Sequence, residues 1–218
     1  MGSEMVQHKA LLRQQLRQAR KRLPQTKRRQ AERHVANLLK GYLKRGKRWG
    51  VYWPVSSELR LDGLLQAARR RGVQLYLPYI EAGALRLWFT PYPERAIAER
   101  KRHKQPAIPQ FTGKKIRAHH LHLMLIPLVG VDTRGYRLGQ GGGYYDVTLA
   151  ATRGRLQPLK IGVGFACQQV TALPAERHDM RLDLWISERG CQDFRGRGRH
   201  GCSARLPERS KCCTTWIS

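Results

Sequence analysis

The segment Pro127 to Asp146, PLVGVDTRGYRLGQGGGYYD, concentrates the residues whose types and spacing could do chemistry. Gly139, Gly141, Gly142 and Gly143 follow an apolar run and precede a stretch that reads as helix. Glycines let consecutive backbone N–H groups turn toward an anion, and a helix N-terminus adds unpaired donors and a favourable dipole. Arg137 supplies a fixed positive charge, and Asp146 is spaced to hold a divalent cation against phosphates. The run is neither common phosphate fingerprint: G-x-x-x-x-G-K-[ST] is absent, and Tyr144 stands where G-x-G-x-x-G needs its third glycine. From the glycines alone, a turn that binds nothing fits equally well.

The wording of the whole run narrows this. It resembles the signature of the 5-formyltetrahydrofolate cyclo-ligase (methenyltetrahydrofolate synthetase) family, approximately P-x-x-x-[FV]-D-x-x-G-x-R-L-G-x-G-x-G-Y-Y-D. Pro127, Asp132, Gly135, Arg137, Leu138, Gly139, Gly141, Gly143, Tyr144, Tyr145 and Asp146 all fit. Lys9 to Arg13 (KALLR) is similar to the family's N-terminal K-x-x-[LM]-R, and Leu173 to Asp183 (LPAERHDMRLD) to its L-P-x-x-x-x-D-x-x-x-D. The likeness runs from about residue 8 to 188.

The resemblance implies a three-layer α/β/α sandwich with a mostly parallel central sheet. It also implies an ATP-dependent ring closure of 5-formyltetrahydrofolate to 5,10-methenyltetrahydrofolate, with Mg²⁺, giving ADP and phosphate. In the family's mechanism the formyl oxygen attacks the γ-phosphate, N10 then attacks the activated carbon, and phosphate leaves. Amide oxygen leaves poorly and phosphate leaves well, so the protein's work is positioning and charge neutralisation. The resemblance assigns ATP contacts to Lys9, Ala10, Leu11, Leu12 and Arg13, and to Arg137, Leu138, Gly139, Gln140, Gly141, Gly142, Gly143, Tyr144 and Tyr145. Folate contacts fall to Arg13, Trp53, Glu58 and Gln140 to Tyr144, Mg²⁺ ligation to Asp146 and Asp179, and catalytic roles to Arg137 and Tyr145. A carboxylate at Glu58 suits a pterin, whose amino-pyrimidine edge offers two donors.

Plainer readings stand beside these. Lys9 and Arg13 fit a solvated helix face, Glu58 a cap for the next helix, Asp179 a turn, Trp53 the core, and the two tyrosines helix packing. Two departures from the family pattern stand out: Val147 where Arg is common, and Cys167-Gln168-Gln169 where an acid is common.

The elements that must position these groups follow from periodicity. Leu12, Leu16, Ala19 and Leu23 recur at helical spacing in a helix over 9–23, with Lys9, Arg13, Arg17 and Arg20 as a cationic ridge beside them. Pro24 ends it, and Thr26 is placed to cap a second helix whose apolar face is Val35, Leu38, Leu39, Tyr42 and Leu43. Strands are predicted at 49–53, 73–80, 85–89, 121–129, 160–165 and 182–187, and helices at 61–71 and 144–153. LHLMLIPLV at 121–129 is apolar throughout, as expected of a strand covered on both faces. Residues 91–118 read as a long surface loop.

The chain has 218 residues, with 41% apolar content, enough for a packed catalytic domain over 1–189. It lacks an apolar signal core or a membrane-length apolar stretch, so a cytoplasmic location is expected; a monomer is expected as well. Forty-two Lys and Arg face fifteen Asp and Glu, a net of +27. Residues 1–48 alone hold fifteen Lys/Arg against Glu4 and Glu32, a net of +13. Anionic partners follow, and a triphosphate and a glutamate-bearing folate are both anionic, but one active site does not need +27. The alternative is a basic nucleic-acid-binding protein, for which nucleic acid is compatible though not required by the catalytic reading.

Residues 190–218 read as a disordered basic tail with Cys191, Cys202, Cys212 and Cys213. Its Arg-Gly run at 195–199 fits RNA phosphates, and its Cys/His spacing matches no familiar zinc finger. His119, His120 and His122 form a weak metal candidate, with no Cys or acid beside them. Five cysteines, an odd number, argue for reduced thiols.

Overall fold

The computed structural model describes residues 2–93, 108–174, 176 and 179–196. A seven-stranded sheet in the order β10-β9-β7-β4-β1-β2-β3 forms its centre. The strands are β1 (Arg48–Gly50), β2 (Gln74–Tyr79), β3 (Trp88–Pro91), β4 (Leu123–Pro127), β7 (Leu159–Val163), β9 (Leu184–Ser187) and β10 (Gly190–Asp193). The inner five run parallel, and β3 and β10 close the two edges antiparallel.

β4 lies between β1 and β7, and its side chains divide by alternation. Leu123 and Leu125 enter one core cluster while Met124 and Ile126 enter the other. The first cluster joins the sheet to α2 (Gln25–Leu39) through Ala31, Val35 and Leu39, and to α3 (Asp62–Arg70) through Leu64, Leu65 and Ala68. The second holds Leu149 of α4 (Tyr144–Ala150) with Phe89, Leu121 and Trp185. Helices thus cover both faces, the expected three-layer arrangement.

Several boundaries differ from expectation for local reasons. Helix α1 (Gly2–Arg22) starts before Lys9. α2 begins directly after Pro24, which takes the N-cap at φ −58°, so Thr26 lies inside the first turn instead of capping it. α2 ends at Leu39, and a 3-10 turn over Lys40–Tyr42 carries Tyr42 and Leu43 onward. In the expected surface loop, residues 94–107 fall outside the described set, but Phe111 is buried and Ile116 pairs with Phe89.

A second, three-stranded sheet, β6-β5-β8, was not anticipated. Its strands β5 (Gly130–Asp132), β6 (Arg137–Leu138) and β8 (Gln169–Val170) are too short to show a period. It turns the chain between β4 and the glycine loop, and α1 seats Leu16 against its Leu138 beside Val129 and Leu173. At the start of the expected tail, Gly190–Asp193 pairs with Leu184–Ser187 across a tight turn. Cys191 on that strand is exposed; the remaining tail residues, 197–218, with the other three tail cysteines, lie outside the described set.

Candidate active site

The chain steps from β1 sideways to β2 and β3, then returns to place β4 on the other flank of β1. Ligands of open α/β sheets gather beyond the strand C-termini where the order reverses in this way. A cavity of about 470 Å³ lies there, walled by Tyr52 and Trp53 after β1, Pro78 of β2, Pro127 of β4 and the glycine loop. A second cavity, of about 400 Å³, lies against Lys9, Arg13 and the 173–179 segment. Arg137, Gly139, Gly141, Gly143 and Asp146 line both, so the glycine loop is their common wall.

The loop is held by distant groups. Arg13 Nε donates to the Gly139 carbonyl at 3.0 Å, and Arg17 Nη2 donates to Gln140 Oε1 at 2.7 Å. Gln140 Nε2 in turn donates to Glu58 Oε1 at 2.8 Å, tying the loop to the segment after β1. Glu58 is 6% exposed, and its other oxygen accepts from the Val55 N–H at 3.0 Å. That bond closes the turn 55–58, in which Ser56 takes φ 57°, and it fixes where the carboxylate points. Gly143 enters α4 at φ 70°, a left-handed conformation that a side chain would strain.

Arg20 is 3% exposed and reaches Ser57 Oγ at 3.0 Å, and Arg28 reaches the Ser57 carbonyl at 2.9 Å and the Arg20 carbonyl. Together they lash the Glu58 turn to α1 and α2. Burial lowers the Arg20 guanidinium below its ordinary pKa, with Glu58 opposing that shift. Burial, with the Glu58 charge adding to it, pushes the Tyr145 phenol well above its usual value. Tyr145 therefore keeps its proton at neutral pH and can donate a hydrogen bond.

Arg137 is the decisive side chain. It is only 3% exposed, its Nη2 pairs with Asp146, and its Nε–H is buried with no partner among the described residues. An unsatisfied buried donor costs about 1–3 kcal/mol, a cost that an anionic ligand between the two cavities would remove. α4 has only seven residues, so the helix dipole expected at the loop is small. Three cations stand there instead: Arg13 on the Gly139 carbonyl, Arg137 paired with Asp146, and Lys9 paired with Glu176 at 2.7 Å.

Trp53, Glu58 and Gly139 to Tyr145 line the larger cavity, and Asp179 with Lys9 and Arg13 lines the smaller. Leu138 also lines the smaller one. Ala10, Leu11 and Leu12 line neither: Ala10 and Leu11 point to solvent, and Leu12 packs beside Leu16. A helix shows one side at a time, so a contiguous run of five cannot all face one ligand. Sequence reasoning did not assign Arg17, Arg20, Tyr52, Ser57 or Ile80 to the site, although Arg17 and Arg20 stood in the cationic ridge.

The family model for the 5-formyltetrahydrofolate cyclo-ligase family matches residues 5–188. The chain belongs to that family. A relative from Haemophilus influenzae named 5-formyltetrahydrofolate cyclo-ligase is 29% identical over 190 residues, 81% of this chain and 96% of its own. The Escherichia coli K12 protein of that name is 30% identical over 143 residues, 63% of this chain and 75% of its own. The solved 5,10-methenyltetrahydrofolate synthetase of Aquifex aeolicus superposes with a TM-score of 0.70 at 24% identity, covering 90% of this chain and 98% of that one. The Mycoplasma pneumoniae synthetase gives 0.65 at 24% identity, covering 83% and 98%. Those two structures establish the common fold.

Of the family departures, Val147 lies half-exposed on the smaller cavity. Gln168 satisfies itself internally: its Oε1 accepts from the Phe165 N–H at 2.8 Å and its Nε2 donates to the Leu128 carbonyl at 2.7 Å. The histidine cluster holds no metal geometry. His119 and His120 face each other at 4.2 Å, His122 Nδ1 accepts from the Arg48 N–H, and no group of three possible ligands exists among the described residues.

Mg²⁺ at the smaller cavity would call for fewer protein ligands. Asp146 and Asp179 come from separate segments onto one wall, each beside a cation, Arg137 and Lys9 respectively. Mg²⁺ characteristically takes one or two carboxylates and completes its shell with water and phosphate oxygens. The donor set fits.

Proposed function

We propose that the larger cavity holds the formylated pterin, the smaller holds ATP, and the glycine loop between them is where the phosphoryl group passes. As a member of the 5-formyltetrahydrofolate cyclo-ligase family, the chain is a ligase that closes 5-formyltetrahydrofolate to 5,10-methenyltetrahydrofolate with ATP as co-substrate. Trp53 and Tyr52 flank the pterin space, and the Glu58 carboxylate accepts from the pterin's amino-pyrimidine edge. For this, Gln140 must give up Glu58 Oε1, which couples folate binding to the position of the loop.

Lys9 and Arg13 neutralise the outer phosphates, and Arg137 offers its free Nε–H to the transferring one. The formyl oxygen forms a bond to the γ-phosphorus while the bond to the ADP oxygen breaks. N10 then adds to the activated carbon and loses its proton as phosphate departs. Tyr145, kept protonated, donates to the oxygen that gathers charge. Mg²⁺ bound by Asp146 and Asp179 would supply further neutralisation of the phosphates.

On this reading the chain acts as a monomer in the cytoplasm. No helix among the described residues is long and apolar enough to cross a membrane. The observation that carries the reading is the buried Nε–H of Arg137, without a partner among the described residues, on the wall shared by both cavities. The test is the near-ultraviolet absorbance of the methenyl product when folded protein meets 5-formyltetrahydrofolate, Mg²⁺ and ATP. Omitting ATP must abolish the signal; its absence in the complete mixture would remove the reading.

A further inference from the structure

The site leaves most of the positive charge unused, and the topology gathers much of it elsewhere. Because β1, β2, β4 and β7 are parallel, their N-terminal ends share one rim, opposite the two cavities. The register confirms the row: Arg48 stands beside Gln74, His122 bonds Arg48, and the Leu159 N–H donates to the His122 carbonyl. Every segment feeding that row lacks an acid: 40–48, 69–73, 117–122 and 151–160.

The α2–β1 connection brings exposed Lys40, Lys44, Arg45 and Lys47. The end of α3 brings exposed Arg70 and Arg71, and Arg71 reaches the Lys40 carbonyl while the Gly46 N–H donates to the Gly72 carbonyl, so the two turns adjoin. The α4–β7 connection adds exposed Arg153 and Arg155. Asp183 sits on the same row but is engaged by Lys160, at 2.7 Å from its N–H and 3.4 Å from Nζ. Burial lowers the His119 pKa, and repulsion from His120, Arg155, Arg86 and Arg117 adds to it, so these cations do crowd one another.

Helix capping explains a minority of this charge. Three helices, α2, α3 and α4, end at the rim, and each C-terminus is worth about half a negative charge. That offsets roughly 1.5 charges, against eight exposed cations. The four-strand row spans about 15 Å, and a duplex presents one phosphate charge per about 1.7 Å of axis. Arginine forks on such a row match phosphodiester oxygens. The fully exposed apolar side chain on these segments, Leu156, is too small a contribution to anchor a lipid surface.

We infer that the cationic rim at the strand N-termini binds the phosphate backbone of a nucleic acid, without reading its bases, on the side of the fold away from the catalytic cavities. Binding draws on released counterions, so log Kd varies with log salt by about 0.9 per phosphate neutralised.

The experiment titrates full-length protein into labelled mixed-sequence RNA and DNA duplexes across a salt series. The parent binds with a micromolar-range Kd near roughly 100 mM salt. The triple variant Lys44→Gln/Arg71→Gln/Arg155→Gln lowers the salt slope by about 2–3 and weakens binding at least about tenfold, with cyclo-ligase turnover unchanged. A matched variant on the exposed part of α2, Lys27→Gln/Arg29→Gln/Arg33→Gln, keeps the parental slope. RNA and DNA arms that agree within a few fold support backbone recognition; a strong preference for either duplex overturns it. Equal losses in both variants, an unchanged slope in the rim variant, or binding of phosphatidylserine vesicles in place of either duplex each overturns the inference.

Discussion

Arg137→Lys separates the phosphate role of this residue from its structural one. The substitution keeps a cation beside Asp146 but removes the planar fork and the Nε–H that has no partner. A charge-assisted hydrogen bond to an anion is worth about 1.5–3 kcal/mol, and each 1.36 kcal/mol is about tenfold in rate. If that bond forms to the transferring phosphoryl group, kcat/KM falls about 10- to 150-fold, mainly in kcat, because charge is redistributed in the transition state. Stability moves little, since deleting a buried unsatisfied donor offsets the poorer pairing. Tm should stay within about 5 °C, given about 2–4 °C per kcal/mol for a chain of this size. Product absorbance under saturating and limiting ATP gives the kinetic split, and a thermal melt gives the second readout. A variant with kcat/KM within twofold of the parent and an unchanged melt would show that Arg137 does not touch phosphate.

Three further outcomes are expected. Asp146→Asn leaves Arg137 an acceptor but lowers the charge available to a metal, so turnover falls at least about tenfold and the Mg²⁺ needed for half activity rises, with a small change in melt; a parental Mg²⁺ titration would contradict the ligand role. Gly130→Ala places a methyl 2.5 Å from Leu16 Cδ1, the tip of a buried side chain that must turn aside and repack at a cost of about 1 kcal/mol, lowering Tm by about 2–4 °C with KM for ATP unchanged; a parental melt would show that the pocket around Leu16 has room. Truncation after Gly196 leaves turnover intact, whereas truncation after Arg189 deletes β10, strips β9 of its antiparallel partner and lowers the melt; equal melts for the two truncations would show that β10 adds nothing.

The cationic ridge of α1 shows how far local pattern reaches. Spacing alone put Lys9, Arg13, Arg17 and Arg20 near one another along a helix. It did not say that Arg17 would hold Gln140 or that Arg20 would be buried against Ser57, because those partners lie 123 and 37 residues away. The same limit explains the treatment of Lys9 to Arg13 as a block of contacts. Motif matching carries consecutive positions together, whereas a helix rotates each residue by about 100° from the last.

The glycine loop, the buried central strand β4 and the family signature were legible in the amino-acid sequence, because glycine content, apolar run length and residue order are properties of contiguous segments. Neither the small sheet β6-β5-β8 nor the extension of order through β10 was, since two- to four-residue strands exist only once a partner is beside them. The pairing of Asp146 with Arg137, the arrival of Asp179 on the same cavity wall, the Gln140–Glu58 bond across 82 residues and the gathering of four acid-free turns on one rim were decided by tertiary structure alone. Local forces choose helix, strand and turn within a few residues; only closure of the sheet brings groups from opposite ends of the chain within hydrogen-bond distance.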